Sequence, residues 1–585
     1  MRTIKFSLAM ILALCLLTPP SEGAQGKKKS ATVYDVGGEI LSALQAFNPV
    51  SATEMGIHAY DGKLTDYSPS SVKSMIKRLQ QFESRLEKLD KTTIDDHDRI
   101  DLKLLHANVR VALLNLDKIQ WYRKSPQLYV DEAMNGIYLL MLSQYAPLEK
   151  KLPAILSRMR AVSPLFVTAR GNLKKPAAAL VQLSKSSLDD AMEFYRQVAN
   201  DLARQFPDHA NEIIRTATAA RHAMSEFQAA ISEMPTGDDK AFAIGEDNFN
   251  YLLQNQYFMN ITADSLLKLG EVLLDSAQQA YSAYEKVVES SRQIGQDSVF
   301  VPKSFTRQDI LDYYTWEANQ VKTFLKMNAF VTIPDDIAEL KVVETPPVLR
   351  SVISGIAYQG AGPFDQIQTG YFYVRPVPDS MDRTELEARY RYVHRRGFRG
   401  SVVHEAFPGH HLQMQLAERN LDPIRKWQMN TMMLEGWALY CEETMYHDGL
   451  YGQEDPAQWL GVLGGIRFRA ARIVADVKLH TGQFTYDECV EWMTKTLGAE
   501  SEAAEQYIRK EVQRYMYTPT VQMSYMMGKR EIELLRGAAQ QHDGGDFSEH
   551  RFHDALLAEG SIPPTLMWEI MKLPRPPQSC ALGAN

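Results

Sequence analysis

The residues best able to do chemistry are crowded into one stretch, Ser401-Val402-Val403-His404-Glu405-Ala406-Phe407-Pro408-Gly409-His410-His411. Three of the fourteen histidines lie within the eight positions that begin at His404. A His-Glu pair followed one helical turn later by a second His is the zinc-protease pattern. Histidines at i and i+4 face one side of a helix, so both imidazoles reach a single Zn²⁺ at ~2.0–2.1 Å. The Glu beside the first His then stands where it can take a proton from the attacking water. Here position 408 is Pro, which cannot bind a metal, and the next histidines are at i+6 and i+7. On a regular helix i+6 is rotated by ~240° and i+7 lies two turns along. A two-residue bulge at Pro408-Gly409 would bring His410 to the place of i+4, and Pro and Gly both permit such interruptions. His404 and His410 are therefore the expected metal ligands, with His411 in reserve, and Glu405 is the expected general base. A coincidental His cluster on a solvated or core helix is the competing reading.

A third ligand is at hand 25 residues beyond His410, at Glu435. Asp422-Pro423 reads as a helix start, Asp as cap and Pro in the first turn. The helix is expected to run from there through Leu434-Glu435-Gly436-Trp437-Ala438-Leu439-Tyr440-Cys441-Glu442 toward Gly449. Two His and one Glu leave the fourth zinc position open, as a catalytic site requires. Glu442 follows Glu435 by seven residues, on the same face, and could orient a ligating His.

These residues need a scaffold, and the rest of the chain reads as helices. From about Tyr34 to Ile231 the pattern is almost continuously helical. Val72, Met75, Ile76, Leu79, Phe82, Leu86 and Leu89 fall at helical spacing, and Asp98 to Leu116 repeats the pattern. Pro147, Pro153, Pro164, Pro176 and Pro207 are expected at helix starts and turns. One region differs: Gly360, Gly362 and Pro363 open a loop, and Tyr371-Phe372-Tyr373-Val374 reads as a short strand. The next helix should open at Asp382, with Glu385 completing a capping box. The expectation is a mostly α-helical fold with a short β element before the metal-binding helix. Residues 25–585 form one catalytic body, with a division into an N-terminal scaffold to about 350 and a metal-site half as the alternative.

Composition narrows the partners. The 585 residues carry a formal net charge of −8, so no basic excess exists to neutralise phosphates and nucleic acid is not the expected ligand. The four cysteines, Cys15, Cys441, Cys489 and Cys580, are too few and too scattered for a disulfide framework. Arg2 and Lys5, the apolar run Phe6 to Leu17 and the small residues Ser21-Glu22-Gly23-Ala24 form the order of a secretory signal peptide over residues 1–24. Leu12-Ala13-Leu14-Cys15 offers a competing lipoprotein reading, weakened by the large Leu14. No later apolar run approaches the ~18 residues of a membrane span, so a secreted or periplasmic mature chain is expected.

The stretch His404 to His411 followed by Glu435-Gly436-Trp437-Ala438-Leu439-Tyr440 resembles the bacterial family catalogued as domain of unknown function 885, grouped with the gluzincin metallopeptidases. Gly409-His410 is also similar to the end of the His-Glu-Phe-Gly-His motif of thimet-type oligopeptidases, which favours His410 over His411. The resemblance covers most of the mature chain and is densest from Gly370 to Gly528. It implies that the strand Thr369 to Val374 pairs with an extended peptide by strand addition. It also picks out Arg472, Asp476 and His480 on one helix, where salt bridging is at least as good a reading as catalysis. Gluzincins commonly use a Tyr or His to stabilise the oxyanion. Tyr525, and after it Tyr515, are the candidates here; Thr520 stands where the family usually has Gly.

The resulting expectation is zinc-dependent hydrolysis of peptide bonds in short peptides. The same constellation would serve an amide or ester hydrolase acting on a non-peptide or cell-wall substrate. A binding protein with a decayed site is a third class, disfavoured because the base and all three ligands occur together.

Overall fold

A computed structural model describes residues 32–575 except 93, 292–299, 347–355, 379, 397–398 and 453–455. The segment read as a signal peptide, with Cys15, lies outside the described residues, as does Cys580. The expected helices form where apolar spacing and caps agree. Ser68 caps the helix Pro69–Leu89, which buries Val72, Met75, Leu79, Phe82 and Leu86, a spacing of three and four. Asp95 caps Asp96–Leu113, which continues into a wider π turn over Leu114–Ile119. Asp382 and Glu385 cap Arg383–Arg396 reciprocally, each backbone N–H donating to the other's carboxylate at 2.9 Å.

Four long helices, Gln127–Leu142, Leu148–Asn172, Ala178–Gln205 and Ala210–Glu233, share one apolar cluster. Two of the prolines expected at turns sit elsewhere: Pro153 and Pro164 lie inside Leu148–Asn172. A second cluster joins Val36, Leu79 and Leu105 of the first helices to Val403, Trp437 and Leu556 near the metal motif. The apolar core thus runs across position 350. Further on, Ala263–Ser291 lies along Pro456–His480, and the side chains of Ile473 and Val474 press against Gly270.

Among the described residues the β structure is one three-stranded sheet of β1 (Leu340–Glu344), β2 (Ala357–Gln359) and β3 (Gly370–Val374), in the order β1-β3-β2. β1 runs parallel to β3, with Leu340 opposite Gly370, and β2 runs antiparallel, with Tyr358 opposite Phe372. The expected strand is therefore present, but it is the central one. Both of its edges are paired, so the strand addition expected of it cannot take place there, and the free edge near the metal motif belongs to β2.

Candidate metal centre

The metal motif is a broken helix. Arg399–Glu405 ends at Glu405 and a new helix, His410–Ala417, begins at His410. The bulge expected inside a continuous helix is instead a full interruption, though its arithmetic holds. The Leu412 N–H donates to Ala406 O at 3.2 Å, spanning six residues where a helix spans four. Two extra residues are accommodated, and His410 swings round to the side of His404. Gly409 permits this because a Cβ there would stand 1.9 Å from His404 O. The turn is pinned from the opposite side by the Trp437 indole N–H, which donates to Pro408 O at 2.8 Å.

Glu435 reaches the site from the helix Thr431–His447. The single helix expected from Asp422 is in fact two. Asp422 caps only the short turn Pro423–Lys426, and Asn430 then caps the Glu435 helix through the Met432 N–H. The Asn430 amide also donates to Gln256 O, so the break is held by a distant helix that local sequence does not reveal. Thr431–His447 crosses Val521–Asp543 at almost zero clearance. A Cβ on Gly436 would lie 2.5 Å from Gly528 Cα, and one on Gly528 would lie 2.0 Å from Met432 O. This glycine-on-glycine crossing sets Glu435 beside Tyr525.

Donor atoms of His404, His410 and Glu435 all lie within 4.8 Å of one another. His404 Nε2 is 3.5 Å and His410 Nε2 is 3.6 Å from Glu435 Oε2. Tetrahedral ligands ~2.0–2.1 Å from one ion stand ~3.3–3.4 Å apart, so the set matches zinc with little movement. Glu435 Oε2 is sealed from solvent without a hydrogen-bond partner, an arrangement that is costly unless something positive occupies the space between the three. His404 Nδ1 meets Glu442 Oε1 at 2.7 Å, which directs the Nε2 lone pair inward. Arg469 stands 3.6 Å from the same Glu442 oxygen.

The electrostatics agree. Burial lowers the His404 pKa, but the carboxylates of Glu435, Glu442 and Glu405 more than reverse this and raise it to about 10. Burial likewise pushes the Glu435 carboxyl up, and His404 and His410 together hold it well below the usual range. The cluster therefore favours a positive charge among its three donors.

His411 faces away. It is fully buried, with Nδ1 3.1 Å from the Tyr358 hydroxyl and Nε2 3.1 Å from Ala338 O. Burial lowers its pKa to about 4, and both ring nitrogens are engaged, so the neighbour of His410 is a packing residue. Glu405 Oε2 accepts the Tyr358 backbone N–H at 3.2 Å, which places the expected base against the free edge of β2. Of the two tyrosines, only Tyr525 belongs to the centre. Burial and the Glu435 carboxylate push its hydroxyl up to about 12. Tyr515 is fully buried in a separate apolar cluster; its hydroxyl accepts from Arg472 Nε at 2.8 Å and donates to Glu511 at 3.0 Å. It serves packing, not the oxyanion.

Asp476 and His480 hold backbone groups, whereas Arg472 pairs with Glu511 and also sets its guanidinium 4.7 Å from the centre of the Tyr525 ring. Asp476 accepts the backbone N–H groups of Thr520 and Met523 and so caps the helix Val521–Asp543. His480 Nε2–H donates to Tyr515 O at 2.9 Å. Sequence reasoning missed Tyr358, which touches both Glu405 and His411, and the Arg469 contact to Glu442. Tyr358 lies on a three-residue strand too short to show a period, and Arg469 shares its helix with other arginines.

Residues 49–571 match the family described as "Bacterial protein of unknown function (DUF885)", and the chain belongs to it. Two solved structures share its fold. One is of a candidate lipoprotein of unknown function from Shewanella oneidensis, with TM-score 0.73 and 20% identity, covering 93% of this chain and 100% of that one. The other is of a candidate lipoprotein from Colwellia psychrerythraea, with TM-score 0.71 and 17% identity, covering 92% and 98% respectively. No curated protein matches the chain. Among the described residues, no helix is long and apolar enough to cross a membrane.

Proposed function

We propose that the protein is a zinc-dependent hydrolase that cleaves peptide bonds in short peptides. The observation that carries this reading is the convergence of His404, His410 and Glu435 on one point, with Glu435 Oε2 otherwise unpartnered. Two imidazoles and one carboxylate are a donor set suited to zinc. Bound there, zinc would supply a Lewis acid that polarises the scissile carbonyl and acidifies water.

The chain's own residues supply the rest. Glu405 takes the proton of the attacking water and returns it to the departing amine nitrogen. The Tyr525 hydroxyl, kept protonated by its raised pKa, donates to the oxyanion that develops on the carbonyl oxygen. Glu442 holds His404 in one tautomer throughout. An extended substrate can add to the outer edge of β2 by displacing Glu405 from the Tyr358 N–H. The N-terminal leader expected from residues 1–24, and the description of both structural neighbours as candidate lipoproteins, support an extracytoplasmic setting.

The test is metal analysis of the purified chain beside His404→Ala, Glu435→Ala and Glu405→Gln. One zinc per chain is expected in the wild type and in Glu405→Gln, and none in the other two. Glu405→Gln should lose at least ~100-fold in peptide hydrolysis while keeping its zinc. A folded wild type without stoichiometric metal after incubation with zinc would overturn the proposal. Turnover of cell-wall amides but not of short peptides would move it to the alternative substrate class.

A further inference from the structure

Four arginines lie on the helix Pro456–His480 or beside it: Arg467, Arg469 and Arg472 on the helix itself, and Arg514 on Glu502–Tyr515. Three of them are engaged. Arg467 donates to Gln278 Oε1 at 3.0 Å and to Leu497 O at 2.8 Å. Arg472 donates to the Tyr515 hydroxyl and to Glu511, and Arg514 donates to the same Glu511 oxygen at 3.0 Å. Arg469 differs. Among the described residues, none of its five N–H groups makes a hydrogen bond, and its ionic contact to Glu442 Oε1 is 3.6 Å long. That oxygen already meets His404 Nδ1 at 2.7 Å.

Solvent does not fully serve this idle guanidinium, because its side chain is only 22% exposed. Nε is shut off from solvent, whereas Nη1 and Nη2 are not, so the open end of the fork is the end that a ligand reaches. Gly465, one turn earlier on the same helix, keeps room for it: a Cβ there would stand 3.1 Å from Nη1. The fork lies beside the reacting groups. Its central carbon is 6.0 Å from the centre of the Tyr525 ring, and Glu442 joins it to His404. On the outer side its charge acts, with those of Arg472 and Arg514, on the hydroxyl of Tyr507, which is 54% exposed. The neighbouring carboxylates are committed: Glu442 to His404, Glu435 to the two imidazoles and Glu511 to two arginines. Arg469 is left without an acid of its own. A counter-charge meant only for Glu442 would close to hydrogen-bond distance, and this one stops short.

We propose that Arg469 binds a carboxylate of the substrate through Nη1 and Nη2, and that this carboxylate is the free C-terminus of a short peptide or an acidic side chain next to the cleaved bond. This deepens the hydrolase reading and rests on it for the chemistry. A carboxylate complements the fork because it is planar and offers two acceptor oxygens at matching spacing. A guanidinium stays charged at every accessible pH, so the preference does not depend on a titration. A protonated N-terminus is turned away from the same place, since it would bring a second positive charge to one that is not yet paired.

Calorimetric titration of the full-length, zinc-loaded Glu405→Gln protein tests this with three probes: N-acetyl-trialanine, its C-terminal amide, and the amide of N-acetyl-Ala-Ala-Asp. The acetyl group removes the N-terminal charge, so a carboxylate is the sole charge on the first and third. The acid should bind at least ~10-fold more tightly than its amide, the size of a charge-assisted pair. Tight binding of the acid alone assigns the C-terminus as the source, and tight binding of the Asp amide as well admits the side chain. Arg469→Gln in the same background should erase the preference while one zinc per chain is retained. Arg469→Lys, which keeps the charge without the fork, should restore part of it. Equal binding of all three probes would overturn the proposal. So would a preference that survives Arg469→Gln, since the carboxylate would then sit on the metal, or loss of zinc in both Arg469 variants, which would make the residue a prop for Glu442. Hydrolysis by the wild type separates the two readings. If the acid binds by way of Arg469 but no peptide is cleaved, the hydrolase reading alone fails; if acid and amide are cleaved at equal rates, the Arg469 assignment alone fails.

Discussion

Two clusters of histidine, acid, arginine and tyrosine lie a few turns apart on neighbouring helices, and their residue types are nearly the same. One gathers His404, His410, Glu435, Glu442, Arg469 and Tyr525; the other gathers His480, Asp476, Arg472, Glu511 and Tyr515. In the second, most of the polar groups hold the chain together, although His480 Nδ1 is buried without a partner. Asp476 takes two backbone N–H groups, His480 holds a backbone carbonyl, and the Tyr515 hydroxyl both accepts and donates. In the first, the His404 and His410 Nε2 atoms and Glu435 Oε2 face one another across a gap with no hydrogen bond to close it. The histidines titrate accordingly: His404 is raised to about 10 and His480 is lowered to about 4. Residue type does not separate the two clusters; a buried carboxylate oxygen left facing two imidazoles does.

The largest effect should come from the crossing that assembles the first cluster. Gly528→Ala puts a methyl group 2.0 Å from Met432 O, so the two helices must part. Overpacking of this kind costs up to ~3 kcal/mol, and here the rigid partner is backbone. Chemical denaturation should show a loss of that size, and zinc should be lost with it because Glu435 moves. A variant of wild-type stability that retains zinc would show that the crossing does not position the centre.

Next comes acid. Burial holds His480 and His553 at about 4, against ~6.5 for a free histidine. Between those values the unfolded chain binds protons that the folded chain refuses at these two groups, so the stability they contribute falls as pH drops from about 6.5 toward 4, while Asp476, raised by burial to about 7, acts in the opposite direction over the same range. Each group contributes up to about 3 kcal/mol to that fall. Urea midpoints taken across the window should show it, and His480→Gln, which keeps an N–H donor for Tyr515 O, should flatten the slope by about one proton. An unchanged slope would mean that His480 is charged in the fold, and the contrast with His404 would collapse.

Glu442→Gln sharpens the comparison from the other side. An amide can still contact His404 Nδ1 but no longer carries the charge that raises the ligand's basicity. Zinc affinity should fall about 10–100-fold, with little change in melting temperature for the metal-free protein. The reverse pattern, lost stability with intact affinity, would put Glu442 with the structural cluster.

The candidate metal centre was legible in the sequence to the extent that its residues are local. His404, Glu405 and His410 lie within seven positions, and the two-residue insertion follows from counting alone. Glu435 and Glu442 could be added because one helix face carries both. What could not be read depends on the distant chain. Tyr515 and Tyr525 both lie against the Arg472 guanidinium, and they differ in the carboxylate beside each hydroxyl, Glu511 for the first and Glu435 for the second. The strand at Tyr371 announced itself by composition, but its central place depends on pairing with β1 and β2, which its own sequence does not reveal. The break at Trp427–Asn430 is likewise held by Gln256 from another helix.

Thr520 gives the smallest effect and the finest test of what the second cluster is for. It sits at φ +66°, a left-handed conformation that glycine adopts freely and a β-branched residue adopts at a cost of ~1–2 kcal/mol. What holds it there is the structural cluster: its N–H donates to Asp476 at 3.0 Å, and Tyr257 donates to its carbonyl at 3.2 Å. Thr520→Gly should keep both backbone bonds and remove the strain. It also frees the unfolded chain, which returns ~0.5–1 kcal/mol of the gain. The net expectation is a stabilisation of at most about 1 kcal/mol, seen as a small rise in melting temperature, with zinc content unchanged. Asp476→Ala in the same background should then cost less than in the wild type, because glycine needs no partner to hold the turn. If the two substitutions prove additive, the cap is independent of the turn, and Asp476 stabilises the helix Val521–Asp543 without enforcing the left-handed residue before it.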